Sequence, residues 1–314
     1  MNDIRPYEGD DEAQLLSVWH NAMTHDRVTA DLFRTKVLLD PNFEPGHLPV
    51  AVANGQVVGF MLGMTRRVPL ASQGYEPERA WITAFGVRPE SRRQGAGAAL
   101  LRHLLERFAA DGRGTVAISP YVPNYFVPGV DADAYPQTVS WLERRGFRRT
   151  SQAISMGANL TGFGVPAAIV DLEARLRDEQ GVRVQPVRAA DLPDLMPFIA
   201  KHFGWDWHRH ASEYLTEYFG DTPHQTCFLV ARQDGAVVGY CQQRRERFGP
   251  FGVAAEKRKL GIGRVLLFRC LEEMSARHVF YSYFLWTGED AARLYERAGF
   301  ERRRSFTLLE RDLP

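Results

Sequence analysis

Two short glycine loops contain the residues of this sequence that are best suited to chemistry. They read Arg92-Arg93-Gln94-Gly95-Ala96-Gly97 and Arg258-Lys259-Leu260-Gly261-Ile262-Gly263. Because glycine leaves the backbone uncrowded, several N–H groups of such a loop can point outward where a helix begins. That arrangement binds anions, above all a diphosphate. The chain therefore contains two candidate diphosphate sites.

Neither loop matches the two commonest nucleotide-binding motifs. A dinucleotide loop needs a third glycine three positions after the second, and a Walker loop ends in Gly-Lys-Ser or Gly-Lys-Thr. Leu100 and Leu266 occupy the position of that third glycine. The loops therefore indicate a different diphosphate ligand.

The elements that must position the loops follow the same order in both halves of the chain. Asn54-Gly55 and Asp234-Gly235 each lie between alternating apolar runs, which is the strongest local signal for a β-hairpin. A further strand-like run, 81–87 in the first half and 247–253 in the second, leads into the glycine loop. An internal repeat accounts for this order most simply.

The segments after the loops distinguish the two copies. Helices are expected to begin near Ala98 and Arg264, and each copy closes on a Gly-Phe pair, at Phe147 and Phe300. The first copy contains an insertion, 121–136, that is rich in aromatic residues, proline and aspartate. The predicted organisation is an N-terminal domain 1–158, a linker helix 159–181 and a C-terminal domain 182–314.

Composition is that of a soluble enzyme. The chain has 314 residues, of which 45% are hydrophobic and 25% charged, which is enough for two domains that each bury a core. A net charge of +1 predicts no nucleic-acid or membrane partner. No apolar segment approaches the roughly 18 residues of a membrane span, and the polar start lacks a signal peptide, so a cytoplasmic location is expected. The three cysteines lack metal-ligand spacing, and buried thiols without a metal or a disulfide are predicted.

The Arg-x-x-Gly-x-Gly loops and the order of strands and helices around them resemble the GNAT (Gcn5-related N-acetyltransferase) superfamily. The resemblance covers nearly the whole chain and implies an α/β (α+β mixed-sheet) protein of two tandem GNAT folds. Each fold is expected to be a mixed, mostly antiparallel sheet with a splayed fourth and fifth strand, flanked by helices.

The same resemblance implies acetyl-CoA as the second substrate. The fourth strand contacts its pantetheine arm in this family, which assigns the edges 84–87 and 250–253. Pro250 cannot donate to a sheet, so it indicates either a bulge in the fourth strand, which is the favoured interpretation, or a distorted second loop that cannot hold coenzyme A. The implied contacts for coenzyme A are Phe85, Val87, Arg92, Arg93, Gln94, Gly95, Ala96, Gly97, Ala98, Phe251, Val253, Arg258, Lys259, Leu260, Gly261, Ile262, Gly263 and Arg264.

A catalytic acid and base are implied in the second copy. Many GNAT enzymes protonate the leaving thiolate with a tyrosine that matches Tyr295 in LYERAGF, where the first copy has Leu142. A phenol with a pKa of about 10 stays protonated at neutral pH and can act in this way. Glu246 is the nearest match to the family's base. An asparagine that often contacts coenzyme A is replaced by Gly288, and Tyr135 stands at the aligned position of the first copy.

Alternative bases remain open in both copies. In the second copy they lie in the aromatic segment KHFGWDWHRH, which is a candidate wall for the acceptor. In the first copy the fourth strand has no carboxylate, and no choice is possible among nearby residues. The candidates are His202, Asp206, His208 and His210 in the second copy, and His20, His25, Asp26, Asp131 and Asp133 in the first.

The predicted function is an acetyl-CoA-dependent N-acetyltransferase that transfers the acetyl group directly to a small-molecule amine. The protein is expected to be a monomer or a homodimer. One alternative is a non-catalytic acyl-CoA-binding or sensing protein, and another is catalysis in the N-terminal domain only.

Overall fold

The computed structural model describes residues 3–70, 74–220 and 225–314. Its strands are β1 (Asp3–Pro6), β2 (Pro49–Ala53), β3 (Gln56–Thr65), β4 (Arg79–Val87), β5 (Thr115–Ile118), β6 (Val130–Asp131), β7 (Arg148–Asn159), β8 (Val182–Pro186), β9 (Thr226–Gln233), β10 (Ala236–Arg244), β11 (Arg247–Val253), β12 (Tyr281–Thr287) and β13 (Glu301–Asp312). Its helices are α1 (Glu12–Ala22), α2 (Ala30–Phe33), α3 (Ala96–Ala110), α4 (Pro136–Glu143), α5 (Ala167–Gln180), α6 (Leu192–Phe203), α7 (Trp205–Phe219), α8 (Ile262–Ala276) and α9 (Glu289–Glu296).

The chain divides into two compact units. Unit 1 comprises Met1–Ala153 with Ser305–Pro314, and unit 2 comprises Ile154–Arg304. Each unit has a mixed sheet with helices on both faces, as predicted for each half of the chain. The linker helix predicted within 159–181 is α5, and it packs within unit 2, where Ile169, Leu172 and Leu176 enter the core.

In unit 1 the sheet runs β1-β2-β3-β4-β5 and is flanked on both faces by helices. Successive side chains of a strand point to opposite faces, so Phe60 of β3 stacks on Trp19 of α1, while Met61 enters the buried cluster that contains Leu104 of α3. The β2–β3 hairpin turns at Asn54 and Gly55, whose φ angles are 51° and 75°. This hairpin confirms the sequence prediction. It places β3 beside β4, with which β3 pairs in the sheet.

Unit 2 repeats this plan with its own residues. Its sheet runs β8-β9-β10-β11-β12, and the β9–β10 hairpin turns at Asp234 and Gly235 with φ angles of 50° and 86°. Tyr240 of β10 packs towards α6 and α7, while Cys241 packs towards α8. The second predicted hairpin is therefore also confirmed.

The last strand of the chain belongs to unit 1, which the sequence did not indicate. Residues Leu309 to Asp312 of β13 pair antiparallel with Ile118 to Thr115 of β5. In unit 2 the corresponding place beside β12 is taken by β7, where Met156 pairs with Phe284 and Asn159 with Tyr281. Each sheet is thus completed by a strand that is distant in sequence from its neighbour.

Candidate active site

Both glycine loops have the same backbone conformation. Arg93 and Lys259 have φ angles of 65° and 68°, and the glycines two positions later, Gly95 and Gly261, have φ angles of 89° and 97°. These glycines are the N-caps of α3 and α8, so the helices begin at Ala96 and Ile262, two residues before the predicted starts. The first-turn N–H groups of a helix have no intrahelical acceptor and can therefore bind an anion.

The surroundings of the two loops differ. A Cβ atom placed on Gly95 would meet no atom within 4 Å, whereas one on Gly261 would lie 2.9 Å from the Leu172 side chain of α5. Arg92 and Arg258 do not reach over their loops, because each donates from Nε to the carbonyl at the end of the preceding strand, at 3.2 and 3.4 Å. Gly95 of unit 1 faces open space, whereas Gly261 of unit 2 packs against Leu172 of α5, although Lys259 and Leu260 of the same loop are exposed.

Strand β4 separates from β5 beside the open loop. The two strands pair in parallel from Arg79↔Thr115 to Ile82↔Ile118, and the N–H of Ser119 donates to the Ile82 carbonyl at 2.9 Å. Beyond Ile82 no strand of the described residues pairs with this edge of β4. The register against β3 also shifts at Thr83, which is a bulge. The result is the splayed fourth strand that the sequence predicted.

A cleft of about 980 Å³ occupies the splay in unit 1, and its size is that of a site for a small-molecule ligand. The residues implied to contact coenzyme A in this unit line it, except Gln94. Most of its charged residues are the basic Arg92, Arg93, Arg144 and Arg145, and Asp26 is the one carboxylate among the described residues that line it. The cleft therefore has a basic region and an acidic position.

The basic region lies where α4 ends near the glycine loop. The Arg145 guanidinium lies 4.1 Å from the centre of the Trp141 ring and donates to the Trp141 carbonyl at 3.0 Å. Burial, and then the neighbouring charge of Arg144, lower the pKa of Arg145 from its usual value. A guanidinium nevertheless stays charged at neutral pH. Trp141 also stacks on Phe85 at 6.0 Å. An anion at this end of the cleft would therefore meet the Arg145 guanidinium, which is held against the Trp141 ring.

The acidic position is a hydrogen-bonded pair of side chains. The hydroxyl of Tyr135 donates to Oδ2 of Asp26 at 2.7 Å and accepts the backbone N–H of His25 at 3.2 Å. The Asp26 carbonyl accepts from Nε1 of buried Trp19 at 2.7 Å, and the Asp26 N–H donates to Met23 at 3.0 Å. These bonds fix Asp26 at the turn after α1.

The insertion of the first copy builds one wall of the cleft and delivers Tyr135. Asp40 accepts hydrogen bonds from Tyr121 at 3.2 Å and from Asn124 at 2.7 Å, which hold the start of the insertion. Val130 and Asp131 form β6 and pair with Thr307 and Phe306 of β13, which hold its end. The helix α4 then begins with Tyr135 as its N-cap.

Other side chains considered as bases in unit 1 have structural roles or lie away from the cleft. His20 is hydrogen-bonded through Nε2 to the Val28 carbonyl at 2.7 Å. Oδ1 of Asp131 accepts the N–H groups of Asp133 and Ala134, both at 3.0 Å. Neither His20, Asp131 nor Asp133 lines the cleft, and His25 reaches it only through Tyr135.

In unit 2 aromatic rings fill the corresponding splay. Strands β11 and β12 pair at Arg247↔Tyr283, and then diverge. Between them Tyr295 lies 4.3 Å from the ring centre of Phe284, 5.8 Å from Phe251 and 6.0 Å from Phe248. Burial raises the pKa of Tyr295 well above its ordinary value. Phe251 and Val253, which were implied to contact coenzyme A, belong to this core cluster, and the acid role of Tyr295 stays a prediction.

The space beside Gly252 of β11 is also occupied by an aromatic ring. A Cβ atom on Gly252 would lie 2.4 Å from the ring of Phe203, which stacks on Trp207 at 5.0 Å. In unit 1 the equivalent glycine, Gly86, faces the small side chain of Ala22. The bulge predicted at Pro250 is present, because the register of β11 against β10 shifts between Cys241 and Gln243.

The base candidates of unit 2 lie in the turn between β10 and β11 and on the helices α6 and α7. Glu246 is exposed in the turn between β10 and β11. His202, Asp206, His208 and His210 lie on α6 and α7 and are half-buried. Burial, followed by the charge of Arg209, lowers the pKa of His210 to about 4. The assignment of a base among these residues stays a prediction.

The three cysteines are free buried thiols in the core of unit 2, as the sequence predicted. Burial raises the pKa of Cys241, so its reactive thiolate form is suppressed. Among the described residues, no helix combines the length and apolar character needed to cross a membrane.

Sequence comparison identifies the family. The model of the Acetyltransferase (GNAT) family matches residues 14–124 and 192–300, which is more than half of the chain. This chain belongs to the GNAT family. GNAT proteins are N-acetyltransferases with acetyl-CoA as co-substrate. Each of the two matched segments contains one of the glycine loops. No curated protein matches the sequence.

Solved GNAT structures share the tandem fold. The GCN5-related glucosamine N-acetyltransferase region of a fungal multi-domain GH3 beta-N-acetylglucosaminidase has a TM-score of 0.79 at 20% identity; the match covers 99% of this chain and 38% of the fungal one. A GNAT from Sphaerobacter thermophilus has a TM-score of 0.69 at 17% identity, covering 99% and 96% of the two chains. A tandem GNAT protein from the clavulanic acid biosynthesis pathway has 0.64 at 16%, covering 100% and 99%. At these identities the similarity establishes the fold alone.

Proposed function

We propose that this GNAT protein is an acetyl-CoA-dependent N-acetyltransferase of the cytoplasm that acts on a small-molecule amine, and that unit 1 contains its active site. One observation carries the proposal: in unit 1 the open glycine loop, the splayed edge of β4 and a cleft of about 980 Å³ lie together. In unit 2 Gly261 of the corresponding loop packs against Leu172, and the splay contains aromatic rings of the core.

The residues of unit 1 fit acetyl-CoA in two respects. Gly95 leaves the loop uncrowded, so the N–H groups of the first turn of α3 can hold a diphosphate, with Arg93 and Arg144 supplying positive charge. The edge of β4 from Thr83 to Val87 can hydrogen-bond the amide groups of the pantetheine arm. Thr83 supports a ligand here, since its buried hydroxyl on the cleft wall has no partner among the described residues.

Direct transfer is the mechanism that these residues favour. Acyl transfer through the enzyme would need a nucleophile such as a cysteine thiolate, and the chain's three cysteines are all buried in unit 2. In the cleft, the Ser119 hydroxyl already donates to the Val127 carbonyl. The protein's contribution is then to hold two reactants in contact, which can supply roughly 7–11 kcal/mol in well-oriented systems.

Amino sugars are candidate acceptors. The fungal region with a TM-score of 0.79 is described as a glucosamine N-acetyltransferase. The acceptor end of the cleft in unit 1 combines one carboxylate with the neutral polar side chains of Asn21 and Thr24. Such a lining suits an amine that also carries hydroxyl groups.

A matched pair of charge reversals tests the proposal. Arg93 and Lys259 occupy aligned loop positions with the same backbone conformation, and both are exposed. Arg93→Glu should weaken acetyl-CoA binding by about ten- to a hundredfold, because one charge-assisted contact is replaced by repulsion. Lys259→Glu should change it less than threefold. Calorimetry with acetyl-CoA measures both.

The two results separate the alternatives. A larger loss from Lys259→Glu would transfer acetyl-CoA to unit 2 and restore Tyr295 and Glu246 as the leading acid and base. Binding that is tight in the wild type, with no thiol release for any member of an amine panel that includes glucosamine, would favour the acyl-CoA sensor. Absence of binding would remove the function altogether.

A further inference from the structure

We propose that Asp26 binds the ammonium group of the acceptor and removes its proton, and that Tyr135 holds the Asp26 carboxylate in position for this role. The inference rests on the proposed function, which it extends to a base and to an acceptor class. That class is a small primary amine that enters the cleft as a cation. The argument starts from where Asp26 lies along the cleft.

Helix α4 sets the separation between the basic and acidic parts of the cleft. Tyr135 caps its start, and Arg144 follows its last residue. The nine residue steps from Tyr135 to Arg144 correspond to roughly 13 Å at about 1.5 Å per residue. The Asp26 carboxylate, bonded to Tyr135, is therefore well separated along α4 from the arginines beside the diphosphate loop. The carboxylate therefore lies away from the anion-binding end of the cleft, where a cation rather than an anion is favoured.

The turn that carries Asp26 lies against the splayed part of β4. A Cβ atom on Gly86 would be 2.6 Å from Cβ of Ala22, so the end of α1 touches the strand at this glycine. Asp26 follows four residues later, and both its N–H and its carbonyl are hydrogen-bonded, to Met23 and Trp19. The carboxylate thus borders the same cleft as the free edge of β4, from a backbone that is held on both sides.

Asp26 is also the one acidic side chain among the residues that line the cleft. An alkylamine is almost entirely protonated at neutral pH and has no lone pair with which to attack. A carboxylate both attracts the ammonium and can accept its proton. No histidine lines the cleft within the described residues: His25 contacts Tyr135 from outside, with ring centres 5.8 Å apart, and His20 is bonded to the Val28 carbonyl.

Protons and bonds balance with this assignment. The ammonium gives one proton to Asp26, which passes it to water, and the neutral nitrogen then forms a C–N bond with the acetyl carbon. The C–S bond breaks, and a second proton from nitrogen ends on the coenzyme A sulfur. The products are the acetamide, coenzyme A as its thiol and one proton in solution. No oxidant, reductant or further reactant is needed.

Tyr135 is a positioning residue in this scheme. Its hydroxyl accepts from the His25 N–H and donates to Asp26, so one oxygen of the carboxylate is fixed in direction. The insertion carries Tyr135, whereas α9 in unit 2 follows β12 after Gly288 alone, without such a segment. The pair is thus a property of the first copy.

The test compares a cationic acceptor with a neutral one. Benzylamine is a cation at neutral pH and needs a base, whereas aniline is already uncharged and does not. Asp26→Asn should lower kcat/KM for benzylamine by about 10²–10⁴ and for aniline by less than fivefold. Asp26→Glu should restore part of the benzylamine activity. Thiol release measures turnover, and calorimetry checks that the affinity for acetyl-CoA is unchanged.

Two further variants exclude a purely structural effect. Tyr135→Phe should lower kcat for benzylamine by about tenfold while leaving kcat for aniline nearly unchanged, because only the base is displaced. Asp31→Asn is the matched control; the Asp31 side chain is 94% exposed and should affect neither amine.

The outcomes are distinct. Equal losses for both amines in Asp26→Asn, or a benzylamine loss of less than threefold, would overturn the role of Asp26. If the wild type binds acetyl-CoA but acetylates no primary amine, the proposed function fails and this inference fails with it. If Asp26→Asn no longer binds acetyl-CoA, Asp26 is structural and the inference is wrong, while the proposed function stands.

Discussion

The glycine loops of the two units have the same backbone conformation, but the space around them differs. The splay of unit 1 contains a cleft bounded by an insertion, and the splay of unit 2 contains the rings of Phe248, Phe284 and Tyr295. Gly95 is open where Gly261 is covered by Leu172. The comparison teaches that two loops with the same backbone conformation can have different surroundings, so the loop motif alone does not predict an open cleft beside it.

Removal of residues 305–314 should have the largest effect on this comparison. The deletion takes away the partner of β5 and the anchor of β6, so unit 1 should lose its fold and all measurable acetyl-CoA binding. Hydrogen exchange should show lost protection in β4 and β5 and retained protection in α8. A truncated chain that still binds acetyl-CoA would show that the cleft does not depend on β13.

Acidification should have the next largest effect, because it should lower the stability of the two units unequally. Burial lowers the pKa of His210 to about 4 from an unfolded value near 6.5, and its Nδ1 has no partner among the described residues. Because the folded pKa is depressed, His210 contributes stability above pH 6.5, and that stability is lost as the pH falls towards 4. The full loss is on the order of 3 kcal/mol.

His47 in unit 1 gives the matched comparison. Burial lowers its pKa too, but its Nε2 lies 2.7 Å from the Asp111 carboxylate, which favours the charged form. Unit 2 should therefore be more acid-sensitive than unit 1. Hydrogen exchange at pH 7.5 and pH 5 tests this, with His210→Gln expected to remove the difference. Equal sensitivity of both units would contradict it.

Opening the second loop would test what closes it. Leu172→Ala should cost roughly 2 kcal/mol of stability and allow a second, weak acetyl-CoA molecule to bind. Leu176→Ala is the control, because it truncates a buried leucine of the same helix that is not packed on Gly261. Calorimetric stoichiometry reads the result. An unchanged stoichiometry would assign the closure to the aromatic rings in the splay.

Narrowing the cleft of unit 1 with a larger side chain at Met23 should have a smaller effect. Met23 lines the cleft, and its Cγ would lie 4.0 Å from a Cβ on Gly86, where unit 2 has the Phe203 ring against Gly252. Met23→Phe should lower kcat/KM for the amine about tenfold without changing acetyl-CoA affinity. Met23→Leu conserves volume and should stay within threefold.

Tyr295→Phe should have the smallest effect if unit 1 is catalytic. The ring contacts of Tyr295 with Phe284 and Phe251 are kept in the variant, so turnover should change less than threefold. If unit 2 is catalytic and the phenol is its acid, the loss should instead be on the order of 10²–10⁴. Steady-state kinetics of the folded variant decide between the units.

Local features of the fold were predictable from sequence, and contacts distant in the chain were not. The Asn54-Gly55 and Asp234-Gly235 turns and both glycine loops depend on backbone freedom that residue types reveal. The covering of Gly261 by Leu172 depends on how α5 packs, and its apolar spacing fits any core. The helix starts were misjudged because the glycines themselves are the N-caps.

The site was predictable in part for the same reason. Asp26 was a candidate from the sequence, but nothing in the chain order brings it to Tyr135, since the two are joined only through the folded insertion. The matching tyrosine of the family motif, Tyr295, could not be told from a core aromatic by sequence, because its neighbours Phe248 and Phe284 lie on separate strands.

Strand β13 gives unit 1 an unusual dependence on translation. A ribosome releases Thr115 to Ile118 long before Leu309 to Asp312, yet these segments are neighbours in one sheet. Unit 1 must wait, with an unpaired strand edge, while all of unit 2 is synthesised. A chain that stopped before Leu309 would leave β5 without this partner, so the sheet of unit 1 would stay incomplete.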